Sequence, residues 1–135
     1  MDKKQITIEV PGCGPIIPEV ALYTVRDFMG EELPGLAVLL TDSDGDPFNT
    51  LTVSFGEFIG IKNCAYIDIN NNAASVIQAF VDAGYMKNTG STKHSGFCVY
   101  PLYRFDEEFL KAIGMGEYQK YSDAYDAYFA AEEDC

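Results

Sequence analysis

Polar and apolar residues alternate at period two through QITIEV (residues 5–10), the pattern of a strand with one buried face. PGCGPIIP then interrupts the alternation with prolines and glycines and reads as an irregular loop. VALYTVRDF (residues 20–28) and GLAVLLTD (residues 35–42) are β-rich runs separated by MGEELPG, which predicts an antiparallel hairpin. DSDGDP (residues 42–47) is a dense turn signal, and FNTLTVSF (residues 48–55) alternates again, extending the hairpin to a meander.

AYIDI (residues 65–69) predicts a short strand that runs into NNNAASVIQAFVDAGY. There an asparagine is positioned to cap a helix, Val76, Ile77, Phe80 and Val81 form one apolar stripe, and Gly84 supplies the left-handed stop. FCVYPLYRF (residues 97–105) predicts the last strand, with His94 in an exposed loop before it. Pro101 cannot donate to a ladder, so it implies an edge or a bulge. DEEFLKAIG predicts a short helix capped by Asp106 and ended at Gly114. In EYQKYSDAYDAYFAAEEDC, Tyr118, Tyr121, Tyr125, Tyr128 and Phe129 fall within an arc of roughly 100° on a helical projection, with Asp123 and Asp126 away from it. That is an amphipathic helix whose aromatic stripe faces the core.

Strands precede or flank the helices instead of alternating with them, so the expected class is α+β. The expectation is a single domain over residues 1–135, mainly an antiparallel sheet of five or six strands covered by two or three helices, the C-terminal one amphipathic. A length of 135 residues suffices for one core without disulfide or metal support. Cys13, Cys64, Cys98 and Cys135 contain no C-x-x-C spacing, which argues for free thiols and against a zinc site. The first residues lack the apolar run of a signal peptide, and no stretch reaches membrane-spanning length, so a cytoplasmic setting in a bacterial host cell is expected, with no membrane partner.

Charge changes the picture most. Nine Lys and Arg stand against 21 Asp and Glu, a formal charge of −12, beyond the magnitude of about 2–8 that solubility commonly requires. Such a surface repels nucleic-acid phosphates and attracts basic protein surfaces, so direct nucleic-acid binding is not expected. Nine Tyr and nine Phe supply enough apolar surface for the chain to fold despite that charge.

The chemical motifs are sparse. His94 is the sole histidine and precedes Cys98 by four residues. A thiolate activated by imidazole needs the two groups in hydrogen-bond contact, which sequence proximity does not supply, and a strand over Cys98 makes it a small buried residue. One histidine also rules out a multi-histidine metal centre. Asp42, Asp44 and Asp46 resemble the start of a calcium loop, yet the sixth and twelfth positions hold Pro47 and Val53 where glycine and glutamate belong. A turn whose Asp side chains bond nearby amides is the better reading. No glycine pattern fits a nucleotide site, so neither enzyme activity nor a cofactor is expected.

GDPFNTLTV, AYIDINNN and TGSTKHSGFCVYPLYRFD, taken in order over residues 37–110, resemble an uncharacterised family of small acidic proteins carried on conjugative elements and phages of gut Firmicutes. The last segment carries the resemblance at Thr89, Gly90, Ser95, Gly96, Phe97, Cys98, Tyr100, Pro101, Leu102 and Tyr103, while His94 occupies a variable place. The resemblance implies a mobile-element context and no established activity. Together with the charge, it leads to the expectation of a non-enzymatic inhibitor of a host defence nuclease, an anti-CRISPR or anti-restriction protein that mimics nucleic acid and binds a basic protein surface such as that of a CRISPR effector. The candidate contacts are Asp42, Asp44 and Asp46 at one turn and Asp123, Asp126, Glu132, Glu133 and Asp134 on the tail. The alternative is an accessory interaction module of a conjugative element that blocks no nuclease.

Overall fold

The computed structural model describes residues 6–26 and 29–133. The chain runs β1 (Ile8–Val10), β2 (Gly14–Arg26), β3 (Glu32–Asp42), β4 (Pro47–Thr50), β5 (Thr52–Val53), β6 (Cys64–Ile67), α1 (Ala74–Asp82), β7 (Met86–Ser95), β8 (Cys98–Phe105), α2 (Glu107–Gly114) and α3 (Gly116–Glu133). The class is the α+β one that the pattern predicts, but the strands form two four-stranded antiparallel sheets, ordered β1-β2-β3-β4 and β5-β6-β8-β7. One contiguous core draws on both sheets and all three helices. Among the described residues no helix is long and apolar enough to cross a membrane.

The β2–β3 hairpin is the longest element pair, in register from Ile16 opposite Asp42 to Arg26 opposite Glu32. Leu36, Val38 and Leu40 alternate into the core from β3, each removing apolar surface worth about 1.5–3 kcal/mol per side chain. Pro15 and Pro18, expected in a loop, lie within β2. β1 pairs only with Gly14, Pro15 and Ile16, so past that point β2 has a single neighbour and a missing donor on the open side costs no ladder bond.

Residues 48–55, expected as one strand, divide at Leu51. The Leu51 amide donates to the Val38 carbonyl of the first sheet at 2.9 Å, and its own carbonyl accepts from the Asp68 amide beside the second, also at 2.9 Å. Buried Thr52 completes the corner, its Oγ1 accepting from the Val38 amide at 3.1 Å. The expected asparagine cap of α1 is not formed: the N-cap is Ala73, without a side-chain bond. Buried Asn72 instead donates to the Thr50 and Asp68 carbonyls, 3.0 and 2.9 Å away, tying the corner to the segment that enters the helix. The C-terminus of α1 follows expectation. Gly84 has φ of 79°, its amide bonds the Val81 carbonyl, and the Tyr85 amide bonds the Phe80 carbonyl, which is the Schellman arrangement. Asp106 caps α2 by accepting from the Phe109 amide at 3.0 Å.

The segment before β8 is a strand, not the expected exposed loop. β7 and β8 join through Gly96 and Phe97 with Ser95 opposite Cys98. Gly96 has φ of 62°, which suits the first central position of a type II′ hairpin turn. Pro101 sits in an inner strand, not at an edge, and is accommodated by the bulge between Asn88 and Thr92 across from it.

On α3 the tyrosine stripe faces inward: Tyr118, Tyr121 and Tyr125 are buried. Each hydroxyl has a partner, as burial requires. The Tyr118 hydroxyl donates to Asn63 Oδ1 at 2.8 Å, the Asn63 amide donates to the Tyr121 hydroxyl at 3.0 Å, and the Tyr125 hydroxyl donates to the Ile59 carbonyl at 2.6 Å. Asn63 has a left-handed φ of 67°, and its carbonyl accepts from the Phe105 amide. The helix thus fixes the connection from β5 to β6 within the second sheet.

Candidate functional site

The best-formed acidic feature lies between β3 and β4. Asp42 Oδ1 accepts from the amides of Asp44 and Asp46 at 2.9 and 3.0 Å, and the Asp42 amide and carbonyl close the turn onto the Asp46 carbonyl and the Gly45 amide. This is the side-chain-bonded turn predicted from DSDGDP. It gathers Asp42, Asp44 and Asp46 so that one carboxylate oxygen from each lies within 4.8 Å of the others. Among the described residues these three carboxylates are the one such group that could share a metal ion. Asp42 spends one oxygen on the backbone, so a hard cation there would keep much of its water.

Asp123 and Asp126 are exposed on α3, on the side away from the tyrosines. Asp123 accepts from Gln119 Nε2 at 2.8 Å, and Asp126 forms an ion pair with Lys62 at 2.9 Å. Glu132 and Glu133 belong to the last turn of α3, and Asp134 lies outside the described residues.

The two acidic groups do not share a surface. Ala124, Ala127 and Tyr128 of α3 line a cleft with Leu33 and Pro34 at the start of β3, whereas Asp42 ends that strand. Eight residues of extended chain separate Pro34 from Asp42, about 27 Å at roughly 3.4 Å per residue. Charge repulsion is lower in this arrangement than in one continuous acidic face.

His94 lies opposite Val99, and Cys98 opposite Ser95. Adjacent pairs on a ribbon project to opposite faces, so His94 and Cys98 point apart and form no nucleophile–base pair. Val99 is exposed while Cys98 and Tyr100 are half-buried, the alternation expected of this strand. Cys13, Cys64 and Cys98 are free, and Cys135 lies outside the described residues. Burial pushes the Cys64 thiol above its usual range, with a hydrogen bond and the charge of Arg104 acting in the other direction. That disfavours a reactive thiolate.

Two features lie outside the acidic pattern of the sequence. Phe97, at the tip of the β7–β8 turn, is fully exposed at 108% of its reference area. From Ala83 to Phe105 the chain contains no Asp or Glu, while Lys87, Lys93, His94 and Arg104 all fall there. That second signal was available in the sequence; its spatial meaning depends on the hairpin.

No curated protein and no solved structure matches the chain. A family model matches residues 23–125, further in both directions than the resemblance over residues 37–110. The matched span takes in the Asp42 turn, the whole β7–β8 hairpin and the three buried tyrosines, and leaves Asp126, Glu132, Glu133 and Asp134 outside: the chain belongs to the family described as Domain of unknown function (DUF4313).

Proposed function

We propose that this protein is a non-enzymatic inhibitor, encoded by a mobile element, that binds the basic nucleic-acid channel of a host defence nuclease such as a CRISPR effector or restriction enzyme. The observation that carries the reading is the Asp42 turn, which holds three carboxylates within 4.8 Å on a frame fixed by its own amides. Duplex DNA presents about one phosphate charge per 1.7 Å of axis, a comparable density. A rigid acidic turn can replace phosphates in a basic channel with little ordering cost, and the net charge of −12 steers the encounter. Because the acidic groups lie at opposite ends of β3, the turn is the contact and Asp123 and Asp126 contribute to long-range attraction.

The test is inhibition of DNA cleavage by a purified basic nuclease across a salt series. Inhibition should weaken between 0.1 and 1 M salt as the screening length falls from about 10 to about 3 Å. A variant with Asp42, Asp44 and Asp46 all changed to Asn should lose inhibition, while the Asp123→Asn, Asp126→Asn variant should chiefly slow association. Inhibition indifferent to salt and to both variants would end the mimicry reading.

Exposed Phe97 favours a second reading, an accessory interaction module of a conjugative element that blocks no nuclease. An unburied aromatic at a hairpin tip suits the apolar centre of a protein interface. Phe97→Ala should then abolish partner capture while the Asp-to-Asn turn variant retains it.

A further inference from the structure

We propose that Lys87 and Arg104 form a binding site for a phosphate monoester, whose phosphate lies between the two cations and whose organic part rests in the apolar cleft beside them. The starting point is an anomaly of charge. In a chain with 21 acidic residues, Arg26, Lys62, Lys93, Lys111 and Lys120 each lie 2.7–3.7 Å from a carboxylate. Among the described residues, Lys87 and Arg104 have no such partner. They are also directly opposite one another in the β7–β8 register, an arrangement that like charges disfavour unless an anion joins them. With no acid between Ala83 and Phe105, the hairpin supplies none.

The surroundings specify what the anion must be. Lys87 and Arg104 line a cleft of about 300 Å³ with Asn88 and Thr89. The acceptors there are already engaged: Asn88 Oδ1 takes the Gly90 amide at 2.9 Å, and Thr89 Oγ1 takes the Ser91 amide at 3.2 Å while donating to the Leu102 carbonyl at 2.8 Å. What remains is donors, from the ammonium, the guanidinium and the Asn88 amide group. A ligand rich in acceptors and carrying about two negative charges complements that set, and a phosphate monoester does so at neutral pH.

The same two cations border a second cleft of about 420 Å³ whose apolar wall includes Val81, Met86 and Phe105. Asp106 also reaches that cleft, but its carboxylate accepts the Phe109 amide at the start of α2. Met86 and Phe105 project to the face opposite Lys87 and Arg104, so the organic part reaches the apolar wall around the open edge of β7 while the phosphate stays with the two cations. The net charge of −12 opposes an extended polyanion but leaves a single small dianion local compensation.

The experiment is a titration of the full chain, followed by amide chemical shifts at constant ionic strength, with inorganic phosphate, phenyl phosphate and benzoate as separate probes. Phenyl phosphate should saturate shifts at Lys87, Asn88, Thr89 and Arg104 and extend them to Val81, Met86 and Phe105. Inorganic phosphate should move only the first group, roughly tenfold more weakly, and benzoate should bind more weakly than phenyl phosphate, having half the charge. Lys87→Gln, at an exposed position, should weaken phenyl phosphate about tenfold or more with an otherwise unchanged spectrum; Arg104→Gln should match it. The proposal is overturned by shifts that never saturate, by equal shifts around Lys93 and Lys111, by full affinity in Lys87→Gln, or by benzoate binding as tightly as phenyl phosphate.

Discussion

Replacing Tyr121 by Phe removes one oxygen from the interface between α3 and the β5–β6 connection. The side chain is 2% exposed, and the lost hydroxyl accepts the Asn63 amide at 3.0 Å. The ring remains, so no cavity of consequence forms. The cost comes from an amide left without its acceptor in a partly buried place, about 1–3 kcal/mol. At roughly 3–5 °C per kcal/mol for a chain of this length, melting should fall by about 3–15 °C. Alkaline pH adds a second signature. Burial raises the ionisation of Tyr118, Tyr121 and Tyr125 above the ordinary tyrosine value of 10.0. A group whose pKa is higher in the folded state stabilises fully below its unfolded value, and that contribution is lost as pH rises past it. Above the unfolded pKa near 10, ionisation of the unfolded chain should erode the contribution of each buried tyrosine by at most about 1.4 kcal/mol per pH unit. Tyr121→Phe has one such group fewer, so the gap between it and the parent should narrow above pH 10, by at most about 1.4 kcal/mol per unit. Urea unfolding followed by far-ultraviolet circular dichroism at pH 7.5, 10.5 and 11 measures both effects. A parent–variant gap that stays constant through pH 11, or no loss of stability at pH 7.5, would refute the assignment.

Thr52→Val should cost about 1–3 kcal/mol in urea unfolding by leaving the Val38 amide without the Oγ1 it bonds at 3.1 Å, and Thr52→Ser should retain most of that stability. Gly35→Ala places a Cβ 2.2 Å from the Tyr23 ring, which lies over the glycine across the hairpin; a loss of about 1–3 kcal/mol is expected, partly relieved when Tyr23→Ala is added, as a double-mutant cycle would measure. Asp42→Ala should lower thermal stability by about 1–2 kcal/mol because two turn amides lose their acceptor, whereas Asp42→Asn, which keeps an Oδ1, should lose less.

Local signals carried much of this structure. The alternation of Leu36, Val38 and Leu40 marks β3, Asp106 marks the start of α2, Gly84 marks the end of α1, and the tyrosine spacing of α3 marks its buried face. Each depends on residues within a few positions of one another, where steric and hydrogen-bond preferences act without the rest of the chain. The Asp42 turn was legible for the same reason, since its side chain bonds amides two and four residues ahead.

Tertiary structure decided the rest. KNTGSTKHS shows no buried alternation because β7 is an edge strand with little of either face in the core, and only pairing with β8 makes it extended. Pro18 fits a strand because β1 stops short of it, and the chain changes sheets at Leu51 because Val38 and Asp68 bond it from either side. The expected asparagine cap of α1 does not form, and Asn72 instead uses its side-chain amide on the nearby Asp68 carbonyl and on that of Thr50, 22 residues earlier, a contact only the fold provides. The acid-free span from Ala83 to Phe105 was visible in the sequence, but register alone sets Lys87 against Arg104, and the length of β3 alone holds the acidic turn away from the C-terminal half of α3. Composition counts charges; the distances between them, on which attraction and repulsion depend, are set by how the strands pair.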